Sequence, residues 1–168
     1  MQAWFNFYAV LGTSAAALMG LLFVATSLNA AAALTGGPQG LRGLTQQAFE
    51  NYLAVLMVSL LALFPDMRLV TFGRVTLLAI ASWSAWVIVR FYQTVAQRSG
   101  HKTRLVATRR HASTLIGFGL LIYAAGRMAL DGSDMRDTVA AANMVLLFSA
   151  TEKAWALLNR IASNPGGD

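Results

Sequence analysis

The chain has 168 residues, 57% hydrophobic and 12% charged, with a mean hydropathy of +0.55. Soluble domains carry about 25% charged residues, so this composition leaves no room for a separate water-soluble domain and reads as an all-α, polytopic transmembrane bundle. The absence of cysteine excludes disulfides, thiolate chemistry and Cys-based metal sites. The net charge of +6 comes from basic residues placed mainly at the ends of apolar segments, which points to topology and anionic lipid and not to nucleic acid.

The first charged side chain is Arg42. About 20 apolar residues cross a bilayer as a helix, and the first span is expected at residues 5–28. Trp4, Phe5, Phe7 and Tyr8 form an aromatic anchor at its start. The small residues of Ser27–Ala33 invite a signal-peptide reading, but no positive n-region precedes the apolar run, so the span is read as retained. Gly12, Ala16 and Gly20 recur every four residues on one face. In lipid, helices associate by close backbone packing that small residues permit. This face serves packing within one subunit, a subunit interface, or, with Thr13 or Ser27, a pore lining.

Thr35–Gly40 is a turn-rich loop. The second span, 46–64, starts near Thr45 with Gln46, Gln47, Glu50 and Asn51 and is then apolar as far as Pro65-Asp66. A carboxylate in hydrocarbon costs several kcal/mol unless it is paired, neutralised or hydrated. Gln46 and Gln47 lie one turn before Glu50, and Arg42 two turns before it. These five residues form either a polar pore mouth with a titrating carboxyl or a wet helix start at the interface. In the second case the helix does not cross and four spans remain.

Arg68–Arg74 is expected as an interfacial link, followed by a third span at 75–92 that carries Trp83, Trp86 and Arg90. The two tryptophans at spacing three read as packing or lipid contacts. Residues 98–111 hold Arg98, Lys102, Arg104, Arg109 and Arg110 with no acid, and are expected as a cytoplasmic basic loop that meets anionic lipid. His101 and His111 have no metal-ligand spacing. The fourth span is 112–130, with Arg127 snorkelling or meeting Asp131. An acidic loop with Asp131, Asp134 and Asp137 leads to the fifth span, 138–158. Near its far end Lys153 is expected to snorkel and Glu152 to pair with Arg90. Lysine and arginine counts place the N-terminus outside and the C-terminus in the cytoplasm, across the inner membrane.

The opening Trp4-x-x-Phe7-Tyr8-x-x-Leu11-Gly12-Thr13-x-x-Ala16-x-Leu18-x-Gly20-Leu21-Leu22-Phe23-Val24-Ala25-x-Ser27-Leu28 resembles a small bacterial membrane-protein family of uncharacterised activity. Gln47-x-Phe49-x-Asn51 and Ser149-Ala150-Thr151-x-x-Ala154-Trp155-x-Leu157-Leu158 are similar to it too. The resemblance implies a bacterial source and an all-helical membrane fold. It carries no activity, substrate or cofactor.

No phosphate loop, nucleophile elbow or His-Glu-x-x-His is present, so the expectation is a non-enzyme without metal or cofactor. The leading reading is a homo-oligomeric channel or pore-type transport protein for a small ion or solute, with Glu50, Gln47 and Asn51 at its cytoplasmic mouth. The other is a non-catalytic accessory subunit of a larger membrane complex.

Overall fold

A computed structural model describes residues 2–28, 40–65, 67–96 and 101–162, with side chains described over 4–28, 43–65, 67–83, 89 and 112–159. Among the described residues the chain is all-α, with five helices and no strand. They are α1 (Gln2–Leu28), α2 (Gly40–Ala62), α3 (Leu69–Ala96), α4 (His101–Asp131) and α5 (Arg136–Ala162).

The boundaries correct three expectations. Helix α2 begins at Gly40, before the expected cap at Thr45. Residues 69–74 are not a link but the first turns of α3, because Gly73 alone does not stop a helix that contains no proline. The basic stretch is not a loop over 101–111, since it opens α4. Its Arg, Lys, Leu and Ala are strong helix formers, and only residues 97–100 lie outside the description.

Two segments, Trp4–Leu28 and Ala112–Asp131, are long and apolar enough to cross a membrane, and Leu69–Trp83 is a shorter apolar run. The expected spans in α2 and α5 fall short on composition. Gln46, Gln47, Glu50 and Asn51 open the first, and Asp137, Asn143, Glu152 and Lys153 punctuate the second.

The chain divides into two compact units, residues 1–63 with 146–168, and residues 64–145. In the first unit α1 packs on α2. Helix α1 buries Tyr8, Leu11, Ala15 and Leu22, a stripe at spacings of three, four and seven. Gly12 lies beside that stripe at the close approach of the two helices, where an added Cβ would stand 3.1 Å from Ser59 Cβ. One core joins Leu22 of α1, Leu44, Ala48 and Tyr52 of α2, and Ala150 and Leu157 of α5. Trp4, Phe7 and Tyr8 cluster at the start of α1, with ring centroids 5.2 to 6.1 Å apart, Trp4 stacked on Tyr8 and Phe7 edge-on to both.

In the second unit α3 packs on α4. Gly73 makes this crossing. A Cβ there would sit 2.7 Å from Ala129 N and Met128 Cβ, and 2.9 Å from Ala125 O. Helix α4 presents Leu121, Ala124, Ala125 and Met128 fully buried. It ends on Gly132, whose φ of 65° lets its N–H donate to Met128 O at 3.2 Å. Asp134 then accepts from the Arg136 backbone N–H and guanidinium at the start of α5. The Arg136 hydrogen bond holds the Asp134 carboxyl below its ordinary value of 3.8. Arg127 pairs with Asp131 at 3.2 Å across one turn, as the spacing predicts, with both side chains about half exposed.

Candidate functional site

The first unit contains a polar network between α2 and α5. Asn51 is 1% exposed, Ser149 0% and Lys153 4%. Lys153 Nζ donates to Ser149 Oγ at 2.5 Å, one turn back along α5. Asn51 Nδ2 donates to the same oxygen from α2 at 3.3 Å. Ser149 Oγ thus receives two donors, which fills the acceptor capacity of a hydroxyl.

A second link lies beside it. Thr151 donates its hydroxyl to Leu147 O at 2.9 Å. Its oxygen is therefore the acceptor in the 3.2 Å contact with Tyr52, and the tyrosine O–H is the donor. Consecutive residues of α2, Asn51 and Tyr52, so bind to Ser149 and Thr151 of α5. Gln46 Nε2 donates to Glu50 Oε1 at 2.9 Å along α2. Gln46, Gln47 and Glu50 are half-buried, in contrast to Asn51.

The structure thus separates two levels within the expected polar cluster. Asn51 belongs to the interior, while Gln46, Gln47 and Glu50 form a partly open rim. Arg42 lies within α2, but its side chain is outside the described residues. So is that of Arg90, and with it the expected pair with Glu152, which is itself exposed. The side chains of His101, His111 and Trp86 lie outside the description as well.

Lys153 is a correction. It does not snorkel outward, because the i−4 neighbour on its own face is a buried hydroxyl that accepts its hydrogen bond. The signal for this was present in the sequence. Ser149 and Lys153 are four residues apart and share a helix face, whereas Glu152 faces the other way. Of the small-residue face on α1, Gly12 is buried, whereas Ala16 and Gly20 are exposed and nothing lies within 4 Å of a Cβ built at Gly20.

The exposed side of α1 in this unit is largely apolar. Phe5, Val10, Leu21, Phe23, Val24 and Leu28 of α1 are all exposed. Hydroxyls on the exposed side of α1 turn back to their own helix, Thr13 to Ala9 O at 2.7 Å and Ser27 to Val24 O at 2.9 Å. Back-bonding of this kind satisfies a polar group where water is absent.

No family model matches the chain, and no curated protein or solved structure matches it. The two later motifs of the noted resemblance, around Asn51 and Ser149, are the segments that meet in this network.

Proposed function

We propose that the chain is a multi-pass integral membrane protein that acts as a homo-oligomeric channel or pore-type transporter for a small ion or solute. The observation that carries this reading is Lys153, an ionisable side chain buried on Ser149 beside Asn51 in a helical unit whose first helix exposes apolar side chains. In lipid, burying an ammonium gains nothing from the hydrophobic effect and costs several kcal/mol. Ionisable side chains held inside such bundles mark ion and solute paths. The half-buried Gln46, Gln47 and Glu50 supply a polar rim at the start of α2, and Glu50 is the residue that would select by charge there.

Ser149 beside Lys153 is also the pairing of a nucleophile with a base. The hydroxyl is fully buried and already accepts two hydrogen bonds, which favours a non-catalytic role. Labelling of Ser149 by a serine-reactive fluorophosphonate would overturn that part of the reading.

Flux through proteoliposomes tests the proposal. Lys153→Met is expected to lower transport at least about tenfold, a loss equivalent to about 1.4 kcal/mol, while the protein stays folded. Glu50→Gln is expected to alter ion selectivity. Unchanged flux and selectivity in both variants would remove the network from the mechanism.

One observation favours the accessory-subunit reading. Phe148 and Trp155 of α5 are 72% and 66% exposed, and Glu152 is exposed on the same side of the helix. A carboxylate on an apolar face is costly in lipid, and a basic helix of another protein relieves that cost. Mass measurement after gentle solubilisation separates the two readings. A ring of identical chains supports the pore, and a fixed heterologous stoichiometry supports the accessory subunit.

A further inference from the structure

Two outward helix faces carry one matching pattern. On α4, Ile116, Gly119 and Tyr123 are exposed and Gly126 is half-buried, at spacings of three and four. On α5, Phe148, Thr151, Trp155 and Leu158 are exposed at the same spacings. This is the 3.5-residue period with which two helices mesh side chains along a seam. Each face lies wholly within one unit.

The sizes are reciprocal. Gly119 and Gly126 stand seven residues apart, about 10.5 Å along the helix axis, and a Cβ built on either meets nothing within 4 Å. Phe148 and Trp155 are seven apart as well, and both stand out from the helix, 72% and 66% exposed. In one antiparallel register Phe148 falls on Gly126, Thr151 on Tyr123, Trp155 on Gly119 and Leu158 on Ile116. Both aromatic knobs then meet a glycine, which lets the backbones approach closely. Close packing of this kind is what holds helices together in lipid.

The polar groups are reciprocal too. Glu152 is exposed beside Thr151, and neither its carboxylate nor the exposed Tyr123 hydroxyl has a hydrogen-bond or ion-pair partner among the described residues. The same register brings the two to one layer, where the phenol O–H donates to the carboxylate. A hydrogen bond to a charged acceptor is about twice as strong as a neutral one, and it offsets the cost of a carboxylate that faces hydrocarbon.

We propose that the α5 face of one copy docks on the α4 face of a second copy of this chain, with Phe148 and Trp155 seated on Gly126 and Gly119 and Tyr123 bonded to Glu152. This rests on the homo-oligomeric reading above and gives that oligomer its interface. The two faces differ, so the contact is heterologous, the kind that builds rings of identical chains. A basic helix of another protein is the competing occupant of the α5 face.

Cross-linking tests the register, because the native chain has no cysteine. Ile116→Cys and Leu158→Cys, on separately tagged copies expressed together, leave the glycines, the aromatic knobs and the Tyr123–Glu152 pair intact. A short bifunctional thiol reagent is expected to join one variant to the other and neither to itself. Gly119→Leu combined with Gly126→Leu fills both holes, and is expected to weaken self-association at least tenfold with unchanged helical circular dichroism. A wild-type assembly of identical chains in which the cysteine pair does not cross-link and the leucine variant stays assembled overturns this interface and leaves the homo-oligomeric reading standing. A wild-type monomer, or a fixed heterologous stoichiometry, overturns that reading and the interface with it.

Discussion

Ser149 shows how much one oxygen can decide. It takes hydrogen bonds from Lys153 and from Asn51, so Ser149→Ala leaves two buried donors without that acceptor. An unsatisfied buried donor costs about 1–3 kcal/mol, more if charged, and for a chain of this size each kcal/mol lowers the Tm by about 2–4 °C. We expect Ser149→Ala to melt several degrees lower, with Ser149→Thr, which keeps the hydroxyl, closer to wild type. Asp134 gives a pH signature. Its carboxyl is held below the ordinary value by the Arg136 hydrogen bond, so its stabilising contribution is complete above the unfolded pKa and is lost as pH falls through the lowered folded value. A Tm-against-pH profile of Asp134→Asn is therefore expected to lie below wild type at neutral pH and to converge with it in acid.

At the scale of the element, glycine positions divide sharply. Gly73 sits where α3 meets the backbone of α4, and an added Cβ would collide with atoms of Ala125, Met128 and Ala129 that cannot swing away. Gly126 is also helical but has nothing within 4 Å. Gly73→Ala is expected to destabilise by about 1–3 kcal/mol or more through overpacking. Gly126→Ala is expected to be neutral or to stabilise by up to about 1 kcal/mol through helix propensity. Equal melting temperatures for the two variants would contradict the crossing. The same reasoning separates Gly12 from Ala16 and Gly20 within the chain. Their spacing places them together on α1, yet only Gly12 meets a neighbouring helix, because α2 lies against the Tyr8–Leu11–Ala15 side.

For the molecule as a whole, the exposed apolar side chains on the helices and the hydroxyls bonded to their own backbones support the proposal that its solvent is lipid. The proposed orientation is directly testable because the native chain has no cysteine. Asp134→Cys, in the acidic connection between α4 and α5, is expected to react with an impermeant maleimide added outside intact cells. Labelling only after the membrane is opened would reverse the topology.

Much of this was legible in the residues themselves. The delay of the first charge to Arg42, the apolar runs at α1 and α4 and the break at Pro65 are local properties, so sequence alone placed the helical segments and two runs long and apolar enough to cross a membrane. Glu50 with Gln46 was legible for the same reason, since both lie on one helix one turn apart. The extension of α4 across the basic stretch was misread, because charge density resembles a loop while arginine and lysine propensity favours a helix. What periodicity does not contain is which face of one helix meets which face of another. That choice was made by packing in three dimensions. It drew Lys153 inward to Ser149 and Asn51, left Ala16 and Gly20 outside, and buried Thr76 and Asn143 with polar atoms to spare. Distance along the chain is blind to these contacts because Asn51 and Ser149 lie 98 residues apart and meet only through the tertiary fold.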